Sequence, residues 1–294
     1  MDSILIIGGN GFLGSHLAAR AGMLGMRVSV VGTAQRSAVP NAAYHRADIG
    51  DRSAMQAVFQ AVSPRYVVNA AAIADIDYAE QHSEEALRVN AHGAEICALL
   101  AAQYHARHLF FSSDAVFDGT KETYSEDDAT NPCNYYGRTK ELAEQKVALA
   151  HPDAVIARVS LLLGRSSGNS GVVDPLMRRL EAGDIAFSNS DQIRTPIDIY
   201  TLADATFELL ARQECSGLIH LACTEAASKL EICRDIARGC GYDPERVQPY
   251  PEGSTRGAKR HLNGVLSVEK AARILKQTHM PTLEGTIERA MQGR

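Results

Sequence analysis

The sequence lacks the marks of several protein classes. None of its six cysteines, Cys97, Cys133, Cys215, Cys223, Cys233 and Cys240, stands in a C-x-x-C pair. A chain of 294 residues needs no disulfide staples, so these read as reduced thiols of a reducing compartment. The ten histidines show no zinc-ligand spacing, and no metal is expected. No stretch approaches the roughly 20 apolar residues that span a bilayer. The apolar run at residues 4–7 is too short for the core of a signal peptide and has no basic flank, which makes the cytoplasm the expected compartment. A net charge of -5 excludes general affinity for nucleic acid or acidic membranes, so an anionic substrate has to be held by local cationic groups.

What is present is an ordinary globular composition, 45% hydrophobic and 22% charged. It suits one large α/β domain, or a large domain with a small partner. Strand-like runs at residues 4–7, 28–31, 66–70, 109–112 and 154–159 alternate with helical patterns at 12–24, 51–62, 83–104 and 135–149. That alternation implies parallel pairing and a Rossmann-type doubly wound sheet. After about Leu163 the rhythm breaks. Residues 164–171 are rich in Gly and Ser and read as a mobile loop; helices are expected at 174–182, 199–212 and 229–240, and a strand at 218–222. The expected organisation is a dinucleotide-binding domain over residues 1–163, with later segments crossing back to it, and a smaller, mainly α/β substrate-binding lobe over 164–294.

The first strand runs into Gly8-Gly9-Asn10-Gly11-Phe12-Leu13-Gly14. Gly8, Gly11 and Gly14 allow a tight turn and close backbone approach to a pyrophosphate, and the helix opening at Phe12 and Leu13 offers that anion its free N–H groups. A glycine string is weak evidence alone and strong between a strand and a helix. The second strand ends in Val31-Gly32-Thr33-Ala34-Gln35-Arg36-Ser37, without a carboxylate to hold a ribose 2′-hydroxyl. Arg36 is placed to meet a 2′-phosphate, with Thr33 or Ser37 assisting, and reads equally as a solvated loop charge. NADP(H) is therefore the preferred cofactor, with NAD(H) as the alternative. Asp48 and Ile49, after a third strand, are candidates to meet the adenine. Ala70, Ala71 and Ala72, after the fourth, either leave room for the cofactor or are plain packing.

The strand at 109–112 ends in Ser112-Ser113-Asp114, at the carboxyl edge where ligands of open α/β sheets sit. Tyr136 and Lys140, four apart on the next helix, share one face. A phenol titrates near pH 10, and a neighbouring ammonium lowers that value. The expected roles are proton transfer for Tyr136, a ribose contact for Lys140, and a hydrogen bond from Ser113 to a reacting carbonyl oxygen.

These residues resemble the extended short-chain dehydrogenase/reductase family, and within it the branch of dTDP-4-dehydrorhamnose reductases. The carrying motifs are Gly8 to Gly14; Asn69 to Ala72 with Asp77-Tyr78-Ala79-Glu80; Asn90; Ser113 to Gly119 with the telling string Val116-Phe117-Asp118-Gly119; Tyr136 with Lys140; Asp191 to Pro196; and Arg260 with Asn263 and Leu266. They span nearly the whole chain. The resemblance implies a Ser113/Tyr136/Lys140 triad, a nucleotide-sugar 4-ketone as substrate, and a C-terminal lobe closing over it. Asp114, Val116, Arg194 and Arg260 stand in the matching substrate segments, the arginines as partners for a diphosphate. Homodimers occur in the family, but nothing in this chain marks an interface. The chain departs from the branch in Ser113, where Thr is common; in the absence of an aromatic residue after Arg158; and in the missing proline after Arg260. A dehydratase needs a glutamate after Asp114, where Ala115 stands. A nucleotide-sugar epimerase stays open, as does an NADP-binding, non-catalytic subunit resembling the regulatory subunit of methionine adenosyltransferase.

Overall fold

A computed structural model describes residues 1–165, 171–251, 254 and 257–292. Most of the Gly- and Ser-rich stretch expected as a mobile loop, residues 166–170, lies outside the described residues. Seven parallel strands form the central sheet: β1 (Ser3–Ile7), β2 (Arg27–Gly32), β3 (Ala43–Arg46), β4 (Tyr66–Asn69), β5 (Arg107–Ser113), β6 (Val155–Val159) and β7 (Gly217–Leu221), in the order β7-β6-β5-β4-β1-β2-β3. This is the doubly wound arrangement expected from the alternation. The strand order reverses between β1 and β4, and the crevice at that switch point is where such sheets take ligands.

The apolar runs are continuous because both faces of the sheet are covered. Ile4 and Ile6 of β1 pack into one core with helix α1 (Phe12–Met23). Leu5 and Ile7 face the other way, into a core with α2 (Arg52–Val62) and α3 (Gly93–Gln103). Each of these four β1 residues is thus apolar for its own layer of helices.

The expected helix at 83–104 is one element in the sequence and three in the structure: Ser83–Leu87, a π turn over Arg88–His92, and α3. Such π insertions recur at functional sites. Here the turn carries the buried Asn90, whose side chain accepts from Ile73 N at 2.8 Å and donates to Ile73 O at 3.1 Å and Thr139 Oγ1 at 3.0 Å. A regular helical pattern does not reveal that register change, because the polar residue responsible has its partners in other elements.

The helix bearing Tyr136, α4 (Tyr135–Ala150), starts at Asn134, whose side chain accepts from Gly137 N at 2.8 Å. Beyond β6 the chain leaves the sheet and returns to it through α5 (Ile199–Ala211) and β7, which pairs along β6 from Gly217↔Val155 to Leu221↔Val159. The remaining elements build a separate apolar cluster. Helices Val173–Glu181, Lys229–Gly239 and Leu283–Gln292 pack through Leu176, Leu180, Ile232, Ile236 and Ile287. Three short strands, Ala227–Ser228, Ile193–Arg194 and Asn263–Gly264, lie side by side near the carboxyl edge of the main sheet. No described helix is long and apolar enough to cross a membrane.

Candidate active site

The turn after β1 has the shape a dinucleotide needs. Gly8 adopts φ +81°, and a Cβ there would stand 2.7 Å from Ala71 N. A Cβ on Gly14 would stand 2.2 Å from Gly8 O. Neither position admits a side chain: at Gly8 the turn passes close to the backbone of Ala71, and at Gly14 the helix start rests on the turn. A cleft of about 440 Å³ opens there, lined by Gly8 and Gly11 on one side and by Gly32, Asp48, Ile49 and Ala70 to Ala72 on the others. Of the expected cofactor residues these come together at one place. Gly14 is buried beneath the turn, and Leu13 packs against the main core. Phe12 turns the other way, edge-on to His16 at 5.3 Å, and packs near Gly164 and Gly171.

Asp48 is not free in the cleft. It accepts from Arg88 Nη1 and from Gly50 N, each at 2.8 Å, and the Arg88 hydrogen bond holds its carboxyl below the usual range. Arg88, which also lines the cleft, was not singled out from the sequence, because its spacing on the expected helix looks like that of any solvated arginine. Arg36 is exposed on the loop after β2 and does not line the cleft. That loop is pinned by Asn10: its side chain donates to Arg36 O at 3.0 Å and accepts from Ala38 N at 2.9 Å. The variable position inside the glycine motif therefore sets where Arg36 stands.

Ser113, Tyr136 and Lys140 meet at the carboxyl end of β5. A Cβ on Gly137 would fall 2.1 Å from Ala115 O, so the glycine after Tyr136 lets α4 rest on the backbone just past Ser113. The Ser113 hydroxyl interacts with the phenol of Tyr136 and lowers its pKa, but burial and the charge of Asp114 prevail and push it up to about 12. Lys140 is 2% exposed; its ammonium donates to Phe111 O at 2.6 Å and lies 4.1 Å above the Phe110 ring. Burial draws it down to about 7, against the pull of Glu144. The phenol is expected to be acidified by the ammonium; instead dehydration dominates the tyrosine and raises its pKa, while one of the lysine's three donors goes to Phe111 O. One turn further along α4, Glu144 makes a two-point ion pair with Arg158 at 2.8 and 2.6 Å and accepts from Ser112.

The residues expected to touch substrate divide. Val116 is fully buried with Phe117, Tyr124, Ala222 and Leu266 and does not line the glycine-rich cleft. Arg194, 6% exposed, spends its guanidinium on Ile193 O, Leu262 O and His261 O and on Asp114. It is a buried strut, not a partner waiting for a diphosphate. Asp114 faces Ser113, Ser160, Arg194 and His261. Burial opposes its charge, yet His261, Arg194 and Ser160 together hold its carboxyl well below the usual range. Arg260 pairs with Asp77 at 2.8 Å, partly exposed. The string Asp77-Tyr78-Ala79-Glu80 proves to be a clasp, since Glu80 also accepts from Tyr135 N at 2.7 Å and so fastens the start of α4. Asp118 likewise accepts from Thr120 N at 3.0 Å, Thr120 Oγ1 at 2.8 Å and Asn131 Nδ2 at 3.1 Å, and from Tyr124, holding the loop after Phe117.

Among known proteins, the family model "RmlD substrate binding domain" matches residues 1–292. The dTDP-4-dehydrorhamnose reductase of Mycolicibacterium smegmatis is 33% identical over 273 residues, 92% of this chain and 79% of that protein. The solved structure of a hypothetical dTDP-4-dehydrorhamnose reductase from Sulfolobus tokodaii is 30% identical with a TM-score of 0.82, covering 97% of this chain and 99% of its own. The Bacillus anthracis dTDP-4-dehydrorhamnose reductase in complex with NADP shares the fold at 24% identity, with a TM-score of 0.84 over 100% of this chain and 99% of that one.

Proposed function

The chain belongs to the RmlD substrate binding domain family, and from that premise we propose that it is an NADPH-dependent reductase of a keto group on a nucleotide-linked sugar. The observation that carries this is the placement of Ser113, Tyr136 and Lys140 at the carboxyl end of β5, beside a glycine-lined cleft shaped for a dinucleotide. The mycobacterial relative bears the name of such a reductase. The glycine turn and Ala70 to Ala72 would hold the pyrophosphate and adenosine half, and Lys140 the nicotinamide ribose. The preference for NADPH rests on the absence of a carboxylate after β2 and on Arg36, and the Bacillus anthracis structure contains NADP.

NADPH held there would supply the hydride that the carbonyl carbon needs. Ser113 donates a hydrogen bond to the carbonyl oxygen, where negative charge develops. Tyr136 gives that oxygen its proton, and the product is the alcohol. A phenol pushed up to about 12 keeps its proton at neutral pH, the state a proton donor needs at the start of a reduction. The helices Val173–Glu181, Lys229–Gly239 and Leu283–Gln292, with the short strands beside them, serve as the lobe over the sugar nucleotide.

The test mixes purified protein with NADPH and a panel of keto-sugar nucleotides that begins with dTDP-4-dehydrorhamnose, and follows NADPH oxidation. Turnover is expected, and Tyr136→Phe should bind NADPH normally while losing about 10²–10⁴-fold in rate. Tight NADPH binding without turnover on any member would instead make the chain a binding subunit.

A further inference from the structure

Asp114 follows Ser113 directly, and its two oxygens face different groups. Oδ1 accepts from the Ser113 hydroxyl at 3.0 Å. Oδ2 accepts from the Ser160 hydroxyl at 2.9 Å, and lies 3.2 Å from Arg194 Nε and 3.3 Å from His261 Nε2. Gly264 makes the meeting fit, since a Cβ there would lie 2.5 Å from Asp114 Oδ2 and 2.7 Å from His261 Nε2. His261 is 3% exposed, and its Nδ1 has no hydrogen-bond partner among the described residues. Of the two cations on Oδ2, Arg194 is charged at every working pH, while His261 gains and loses its charge.

A serine hydroxyl has one proton. While Ser113 gives it to Asp114, it cannot give it to a carbonyl oxygen. How strongly Asp114 competes depends on how well its own charge is matched. With His261 protonated, two cations face the carboxylate and its pull on Ser113 is weakest. With His261 neutral, the carboxylate holds Ser113 harder. It also leaves more negative charge beside Tyr136, opposing the phenolate that forms as the proton departs.

We propose that His261 is a positioning residue whose positive charge offsets Asp114 and thereby releases the Ser113 hydroxyl to the substrate's carbonyl oxygen. This rests on the reductase assignment. The groups facing His261 are Asp114, Arg194 and the thiol of Cys133, with Lys229 close to both Arg194 and Asp114. Burial and Arg194 disfavour the imidazolium, but Asp114 outweighs them and raises its pKa above the ordinary histidine value. His261 therefore keeps its charge below that raised value and loses it as pH climbs through it, and turnover falls over the same interval.

The experiment measures pH–rate profiles with NADPH and dTDP-4-dehydrorhamnose for the wild type and His261→Gln, which keeps a donor toward Asp114 and cannot be charged. The wild-type His261 imidazole is titrated by NMR alongside. The expected wild-type kcat has a descending limb whose midpoint coincides with the NMR midpoint. His261→Gln should lack that limb and run roughly tenfold slower at neutral pH, the equivalent of about one pKa unit, with KM and NADPH affinity unchanged. A limb at the imidazole's NMR midpoint retained in His261→Gln, or an imidazole that stays neutral throughout the active range, overturns the proposal. Should the variant not fold, coincidence or mismatch of the two wild-type midpoints decides. Wild-type turnover beside an unaltered His261→Gln profile removes only the histidine's role; a wild type that binds NADPH and turns over no member of the panel removes the reductase assignment itself.

Discussion

Tyr136 and Lys140 stand one helical turn apart, and the distance between their side chains is governed by what else each can reach. The spacing placed them on one face; it was silent on Phe111 O, which takes the lysine's proton donor at 2.6 Å. Arg36 is the reverse case. Its chemistry was legible and its position was not, because Asn10, itself inside the glycine motif, holds the loop. Replacing Arg36 with Ala should weaken NADPH more than NADH in paired binding titrations; equal losses would end its 2′-phosphate role. His108 supplies a stability prediction. It is fully buried on β5 with both ring nitrogens unpartnered among the described residues, and burial lowers its pKa to about 3, with His151 adding. The unfolded chain takes up a proton below the ordinary histidine value and the folded one does not. Stability is therefore full above that value and falls toward about pH 3, by about 1.4 kcal/mol per pH unit from this group. His220 adds a decline of the same sign. Urea midpoints at pH 7 and pH 4 should draw closer together in His108→Leu; an unchanged difference would acquit this histidine.

At the scale of elements, α4 is the part that decides whether the site exists. Its start is fixed by the Asn134 cap, by Glu80 on Tyr135 N, and by Gly137 against Ala115 O. The helix itself was readable from its pattern, and so was the face that Tyr136 and Lys140 share. Its seat was not, since the contacts come from residues 55 positions away in one case and from a backbone carbonyl in another. Gly137→Ala inserts a methyl where there is no room. It should cost about 1–3 kcal/mol in denaturant unfolding, in the range of overpacked sites, and remove most turnover by lifting Tyr136 away from Ser113. Unimpaired activity with wild-type stability would mean that this close approach does not seat the helix. The π turn teaches the same lesson: a helical pattern runs unbroken through Asn90, and only its bonds to Ile73 and Thr139 show why the turn widens there.

Over the whole molecule, the first and last parts of the chain are tied across the site. Arg260 and Ala258 N reach Asp77, Asn134 reaches Lys259 O, and Asn263 reaches Lys121 O and Glu122 O. The Asp77–Arg260 pair is partly exposed, so a double-mutant cycle with Ala at both positions should give a coupling of about 0.2–1 kcal/mol, weakening with salt. A coupling indistinguishable from zero at low salt would mark it as incidental. The alternation of strands and helices, the glycine turn and the Tyr136–Lys140 spacing depend on local geometry, with periods of two and 3.6 residues and turns that exclude side chains. The amino-acid sequence alone therefore determined the doubly wound sheet and the place of the cleft along it. Which charges meet was left to the tertiary structure. Asp114, Arg194 and His261 are brought together from segments far apart in the chain, and their mutual charges prevail over burial there, whereas dehydration prevails at Tyr136 and Lys140.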